Sequence, residues 1–322
     1  MSEALPGLRL PQSLLRELYQ LDWRPNLKIP LVYGLLSIAA CLAWTTDSAW
    51  LRWAMYLGMG YLWMSVVTFM HDACHGVLFR ARWKNWAFGI ASTLPILVTF
   101  ISFKEDHLEH HRFNRSSKDP DAFTMGKRGA LDFLVFYAYL AIGGLLTFLQ
   151  FSLVYPFQKF DRRRWSIHVG ELLLRAVVIS GILIWTGRLG VQGKFLAVWL
   201  IPVYFFTLVN SMRFIAEHYE TPWEEGQLLG TRTVTSNAVH SFFWNNINYH
   251  IGHHVYPATP WYNLQKLHAA MLPEIERVGG VVETRYTGVL IRALKRGPES
   301  SERNARYLAE RGVSPAAGVP SS

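Results

Sequence analysis

Long apolar runs that alternate with polar, histidine-bearing stretches are the feature that most restricts how this chain can fold. Four runs are nearly free of charge and lie at 29–44, 53–70, 172–185 and 195–209. Each is slightly shorter than the about 20 apolar residues of a typical membrane-spanning helix. Charged residues make up 17% of the chain, against about 25% in soluble domains. The pattern predicts an all-α integral membrane protein with four transmembrane helices in two hairpins.

Two further apolar runs, at 86–103 and 131–155, are predicted to be re-entrant or interfacial helices. The first is interrupted by Pro95 and separates two histidine clusters, which a complete crossing would place about 30 Å apart. The second contains Gly143-Gly144 and is followed by basic residues at 159–164. Basic loops favour the cytoplasm, so we expect this run to begin and end on the same side of the membrane.

The sequence around these runs predicts three regions. Residues 1–28 include an amphipathic pattern over 11–23, which indicates an N-terminal interfacial helix. Residues 29–296 are expected to form the membrane domain, and 297–322, rich in polar residues and proline, a weakly ordered tail. The first apolar run follows charged sequence and lacks a cleavage pattern, so we expect it to be retained as a helix. The two cysteines predict no disulfide framework.

The net charge of +9 does not indicate nucleic-acid binding. The lysines and arginines lie between and after the apolar runs, where cytoplasmic loops collect positive charge. No basic stripe with interleaved aromatic residues and no nucleic-acid-binding motif accompanies them. We therefore expect a membrane and lipid partner, and we expect no fused haem or iron–sulfur domain.

Histidines beside the apolar runs carry the chemistry that the sequence predicts. Three clusters and one single position hold nine of the 12 histidines: His71 and His75; His107, His110 and His111; His250, His253 and His254; and His218. Residues four apart share one face of a helix, about 6 Å from each other. Imidazole is a common metal ligand, and nine exceed the four of a structural zinc site. The clusters therefore predict two metals with four or five ligands each.

Iron fits this position better than zinc does. Both metals accept imidazole, but zinc is redox-inert, whereas iron activates the O2 that is needed to attack an unactivated C–H bond. A metal pair at the membrane surface has hydrocarbon as its nearest substrate, which predicts a lipid oxidase. Side chains expected to support the ligands are Asp72, Glu109, Glu217 and Asn246, with Asp106, Asp119 and Asp121 as further candidates. A histidine-rich metal transporter is a remote alternative, and it would require polar residues inside the spans.

The clusters resemble the three histidine boxes, HxxxH, HxxHH and HxxHH, of the membrane fatty acid desaturase superfamily. The similarity extends from 63 to 271 and includes 107–114 followed by Asp119-Pro-Asp121, and the stretch 248–257. The phrase at 213–219, with 231–234 after it, is similar to bacterial-type acyl desaturases. This resemblance implies four spanning helices, a cytosolic cap and two irons held by His71, His75, His107, His110, His111, His218, His250, His253 and His254.

The resemblance also implies the reaction. The expected activity introduces a double bond into a fatty acyl chain of a lipid or thioester, with O2 as co-substrate and an external electron donor of the ferredoxin or cytochrome b5 type. Alternatives on the same scaffold are a carotenoid hydroxylase or ketolase and a fatty acid hydroxylase or decarboxylase. Two positions depart from the pattern: Gly252 stands where many members have Glu, and Phe214 stands where some have a metal-linked Asn.

Overall fold

The computed structural model describes residues 9–121, 130–223 and 225–299, and this part of the chain is mostly helical with almost no sheet. In chain order the helices are α1 (Gln12–Leu18), α2 (Lys28–Thr45), α3 (Ala49–His75), α4 (Arg82–Thr93), α5 (Phe100–Phe113), α6 (Ala130–Leu149), α7 (Tyr155–Lys159), α8 (Arg162–Arg188), α9 (Gln192–His218), α10 (Gly226–Leu229), α11 (Ala238–Phe243), α12 (His250–Val255), α13 (Leu264–Arg277) and α14 (Tyr286–Arg296). Two short strands, β1 (Arg232–Val234) and β2 (Val281–Glu283), pair in parallel. The predicted all-α class is confirmed.

The chain forms two compact units. One, the helix unit, comprises Leu21–Asp106 and Ile142–Ser211, and the other, the histidine unit, comprises Met1–Gln20, His107–Ala141 and Met212–Ser322. Within the second, residues 1–8, 122–129, 224 and 300–322 lie outside the described residues, so most of the predicted tail does too. The predicted region boundaries near 28 and 296 stay predictions.

Four of the described helices are long and apolar enough to cross a membrane. They are Pro25–Thr45, Leu131–Lys159, Arg162–Arg188 and Gln192–His218. Three of the four predicted runs lie in these helices, and the fourth, 53–70, lies in α3. Although α3 has 27 residues, Trp, Tyr and Gly reduce its apolar character. Its second half, from Met64 to Cys74, is buried within the protein.

Two helical hairpins make up most of the helix unit. A short turn at 46–48 joins α2 to α3, and another at 189–191 joins α8 to α9. Ser48 caps α3 by accepting from the Leu51 amide, and Asp161 caps α8 by accepting from the Arg164 amide. These side chains satisfy amide groups that the first turn of a helix leaves without a partner. Both hairpins lie where the apolar pattern predicts them.

The run at 86–103 folds as a helix, a turn and a second helix. The turn, at 94–99, is held against the middle of α8 by two buried charged side chains of that helix, Glu171 and Arg175. The Glu171 carboxylate accepts from the Phe100 amide at 2.5 Å and from the Ile101 amide at 3.2 Å, and the Arg175 guanidinium donates to the Val98 carbonyl. Glu171 lies about 13 Å along α8 from its first residue, at about 1.5 Å per residue. The segment is thus two helices whose connecting turn packs against α8, while a re-entrant or interfacial placement in the membrane stays a prediction.

The run at 131–155 is a long helix with two irregularities. Ile142, next to the predicted bend at Gly143-Gly144, has non-helical φ/ψ values of −128° and 26°, and residues Gln150–Val154 form a π-helical turn. Gly144 lies directly against Thr207 of α9, where a Cβ atom would clash. The irregular residue Ile142 is next to the bend predicted at Gly143-Gly144. Glycine at 144 also permits the close approach of α9.

Apolar side chains around α12 and α13 form the core of the histidine unit. Its fully buried members are Leu18, Leu228, Tyr249, Ile251, Leu264, Leu267, Met271 and Ile275. Leu264, Leu267 and Met271 lie on one buried face of α13. Leu18 of α1 is 1% exposed, so the amphipathic face of the N-terminal helix packs against this core. Ile251 and Tyr249 anchor α12 and thereby its histidines.

Candidate metal centre

One group of imidazoles converges from three helices of the histidine unit. His110 lies on α5, His218 ends α9, and His250 and His254 lie one turn apart on α12. The Nε2 atom of His250 is 3.1 Å from Nε2 of His218 and 3.0 Å from Nε2 of His254. Ligand atoms of His110, His218 and His254 lie within 4.8 Å of one another. We call these four residues the second histidine set.

The nitrogen separations in this set suit a bound metal. Metal–imidazole distances are about 2.1 Å, so two nitrogens at a right angle around one ion are about 3.0 Å apart. All four side chains are buried, with exposures of 2–4%. Burial and the neighbouring imidazoles lower the pKa of His254 well below its usual value. The neutral imidazole, which is the form that binds a metal, is thereby favoured.

A second group in the same unit consists of His107, His111 and His253. Their ligand atoms also lie within 4.8 Å of one another. Nε2 of His253 is 2.9 Å from Nε2 of His111, and the rings of His107 and His111 have centroids 4.6 Å apart. We call these three residues the first histidine set. Its members come from the same two histidine boxes as three members of the second set.

The first histidine box lies in the helix unit, at the end of α3. His71 and His75 are one helical turn apart, and their ring centroids are 4.9 Å from each other. Gly76 ends the helix with a left-handed φ of 76°, a conformation that glycine adopts without strain. The box therefore presents two imidazoles from one helix end. Asp72, a predicted supporting residue, has Oδ1 3.7 Å from Nδ1 of His71.

A carboxylate orients His110. Oδ1 of Asp119 is 2.9 Å from Nδ1 of His110, and Asp119 also accepts from the amides of Arg115 and Asp121. Burial lowers the pKa of His110, but the charge of Asp119 and its hydrogen bond outweigh it, so that the pKa is raised overall. Burial also raises the pKa of Asp121 to about 6. Because Asp119 holds the Nδ1 proton, Nε2 of His110 is directed to a metal.

Gln227 supports His254, although no pattern in the sequence indicates it. Its Oε1 atom is 2.9 Å from Nδ1 of His254, while its amide nitrogen donates to the His111 carbonyl. The amide oxygen can accept the Nδ1 proton, which leaves Nε2 of His254 for the metal. Gln227 lies on α10, outside every histidine box. No motif spacing could have identified it.

The other predicted supporting residues have different surroundings. Glu217 is fully buried beside His250, whereas Glu109 is half-buried on α5. The Asn246 side-chain amide donates to the Trp261 carbonyl at 3.1 Å. The supporting role of Asn246 stays a prediction, as does the assignment of all nine histidines as ligands.

Packing explains the two departures from the family pattern. A Cβ atom on Gly252 would lie 3.3 Å from Leu267, so glycine allows α13 to pack closely on α12. A larger residue at this position would press on the Leu267 side chain, which would have to move slightly. The ring of Phe214 lies 4.9 Å from the ring of His218 and 5.9 Å from that of His110. An apolar wall thus stands where some members have an Asn.

Histidines outside the boxes have other partners. Nδ1 of His168 is 2.8 Å from the Thr99 hydroxyl, and the ring of His240 lies tilted against Trp244 with centroids 3.7 Å apart. His268 lies beside the Tyr249 ring. None of the three belongs to a group of potential metal ligands among the described residues.

Comparisons with known proteins identify the family of this chain. The fatty acid desaturase family model matches residues 48–286. The chain is 27% identical over 288 residues to an sn-1 oleoyl-lipid 12-desaturase of Picosynechococcus sp., covering 81% of each protein. It is 28% identical over 231 residues to an enzyme of the same name from Arthrospira platensis, covering 65% of this chain and 64% of the relative. It is 27% identical over 261 residues to human sphingolipid delta(4)-desaturase/C4-monooxygenase DES2, covering 74% and 72%. The chain belongs to the fatty acid desaturase family.

Proposed function

We propose that this desaturase-type oxidoreductase is a di-iron enzyme that uses O2 to introduce a double bond into an acyl chain of a membrane lipid. The observation that carries the proposal is the presence of two convergent histidine sets in a protein with membrane-spanning helices. The relatives named for acyl-lipid and sphingolipid desaturation support a lipid substrate.

The second histidine set would hold one iron. The first histidine set would hold the other, and the family resemblance implies His71 and His75 as further iron ligands. When bound, two irons reduced by an external donor supply O2 activation, which is strong enough to remove hydrogen from an unactivated methylene group. The overall balance consumes one O2, two electrons and two protons for each double bond and two waters formed. An external carrier of the ferredoxin or cytochrome b5 type would deliver the electrons.

The protein's own residues orient the ligands and exclude water. Asp119 and Gln227 hold the outer nitrogens of His110 and His254, so that the inner nitrogens stay directed at one point. The apolar ring of Phe214 lies beside the rings of His110 and His218 and covers that side of the second histidine set. Water exclusion protects a reactive oxidant from side reactions.

The active site is proposed to face the cytoplasm. One metal site cannot be assembled across a bilayer, so all three boxes must open on the same side. Basic residues at 162–164 begin α8, and positive charge favours the cytoplasmic side. The short turns at 46–48 and 189–191 would then face outward. Both chain termini would lie inside.

Lipid analysis of a host that expresses the chain tests the reaction. Acyl chains and pigments would be compared by mass spectrometry with and without O2, with His110→Ala as the matched inactive control. We expect acyl chains that have lost two hydrogen atoms, only with O2 and only with the unaltered chain. Gain of an oxygen atom would instead identify a hydroxylase. This is the main alternative, because the human relative is named as a desaturase/C4-monooxygenase. A change confined to carotenoids, or no O2-dependent product, would contradict the proposal.

A further inference from the structure

Glu217 is a buried carboxylate beside the second histidine set. It precedes His218 on α9 and has no exposed surface. Its Oε2 atom lies 2.6 Å from the Arg213 guanidinium and 3.5 Å from Nε2 of His250. The Tyr286 hydroxyl donates to Oε1 at 3.3 Å. All of these residues belong to the histidine unit, and the guanidinium offsets the carboxylate charge.

The nitrogen that Glu217 approaches is the inner one. Nε2 of His250 is the atom that also faces the Nε2 atoms of His218 and His254, at 3.1 and 3.0 Å. Asp119 and Gln227, by contrast, contact the Nδ1 atoms of His110 and His254, which lie behind the rings. A carboxylate that merely orients an imidazole bonds to its outer nitrogen. Glu217 therefore lies on the metal side of the ring.

We propose that Glu217 is an oxygen ligand of the metal held by the second histidine set. This inference rests on the proposed two-metal function. Iron commonly combines histidine with a carboxylate ligand, and Arg213 makes a buried anion at this point tolerable. Phe214 occupies the position one turn before His218 from which some family members supply an Asn. In this chain, α9 supplies an oxygen donor from Glu217, the residue before His218, instead.

A ligand role makes the two metal sites chemically unequal. The second site would combine nitrogen ligands with one anionic oxygen, whereas the first histidine set offers only imidazole. An anionic ligand stabilises the more oxidised metal, so the two sites would differ in affinity and in spectrum. Removing the carboxylate should therefore alter one metal and leave the other unchanged.

Glu220 provides a matched control, because it is equally buried and also paired with arginine. It is 2% exposed, three residues after Glu217, and bonds to Arg292 and Arg296. Glu217→Gln and Glu220→Gln both keep side-chain volume while removing one buried charge. If Glu217 serves only as a partner of Arg213, the two variants should behave alike towards metal.

The experiment measures metal content, affinity and Mössbauer spectra of the iron-loaded full-length proteins. In Glu217→Gln we expect affinity at one site to fall by about tenfold or more, with one of two spectral components changed. Glu220→Gln should match the unaltered protein in both. Formate should restore the missing component in Glu217→Ala, because it can occupy the vacated space beside Arg213. Melting temperatures of the metal-free variants would separate a folding defect from a ligand defect.

Two results would overturn the assignment: an unchanged spectrum and affinity in Glu217→Gln, or equal metal loss in both glutamine variants. Failure of the proposed function would look different. In that case the unaltered protein would bind no iron. The Glu217 comparison would then be repeated with whichever metal the unaltered protein retains, and loss at one site in Glu217→Gln alone would still support the ligand role.

Discussion

Asp119→Asn is the most informative single substitution for the hydrogen bonds that orient the ligands. Asp119 is 7% exposed and accepts from three groups: Nδ1 of His110 at 2.9 Å, the Arg115 amide at 2.8 Å and the Asp121 amide at 3.0 Å. An asparagine has only one accepting oxygen. If its oxygen takes the place of Oδ2 and accepts from the Arg115 amide, its NH2 group takes the place of Oδ1 and faces Nδ1 of His110. The imidazole must then accept at Nδ1, which moves its proton to Nε2, the nitrogen that the metal needs.

The cost can be estimated in two ways. A hydrogen bond to a charged group contributes about 1.5–3 kcal/mol. Loss of a carboxylate partner of a metal-bound histidine lowers metal affinity by about 10–100-fold, which is about 1.4–2.8 kcal/mol at 1.4 kcal/mol per factor of ten. The two ranges agree. Only the site that contains His110 should be affected, because the first histidine set does not contain this ring.

Anaerobic titration of the metal-free protein with Fe(II) measures this effect. We expect Asp119→Asn to keep one site unchanged and to weaken the other by about 10–100-fold. Asp161→Asn is the control, because Asp161 is an exposed helix cap on α8 and asparagine caps helices equally well. Unchanged binding at both sites of Asp119→Asn would refute the orienting role of this carboxylate.

Three further experiments test other parts of the account. His110→Ala should abolish turnover in the lipid assay because a metal ligand is lost, whereas His240→Ala should retain most of it; equal activity would contradict the shared site. A cysteine at Arg163 should react with an impermeant thiol reagent only from the cytoplasmic side, and one at Gln192 only from outside; the reverse pattern would invalidate the proposed sidedness. Glu171→Ala removes two hydrogen bonds from buried amides and should lower the free energy of unfolding by about 3 kcal/mol, measured in detergent; an unchanged stability would show that the α5 terminus needs no cap.

Hydropathy and glycine placement predicted much of the helix unit. The runs in α2, α8 and α9 are long and nearly free of charge. They are expected to be helical because a chain within a bilayer must form its backbone hydrogen bonds internally. The bend next to Gly143-Gly144 followed from the flexibility of glycine. The same reasoning described α3 less well, because apolar residues in its second half pack against protein. A helix buried in protein and a helix buried in lipid have similar apolar sequences.

The histidine boxes were predictable, but their supporting contacts were not. Spacings of three and four residues place imidazoles on one helical face wherever the helix lies. Choosing between Glu109 and Asp119 required the structure, because the loop after α5 brings Asp119 back to His110, with Arg115 at a φ of 57°. Gln227 and Tyr286 reach the centre from distant parts of the chain. Only tertiary contacts could identify them.

Metal analysis of purified, active protein tests the central claim most directly. The account predicts close to two irons per chain, because two histidine sets converge separately, together with O2-dependent conversion of acyl chains by the same preparation. One zinc per chain and no iron in a preparation that still modifies lipid would contradict it.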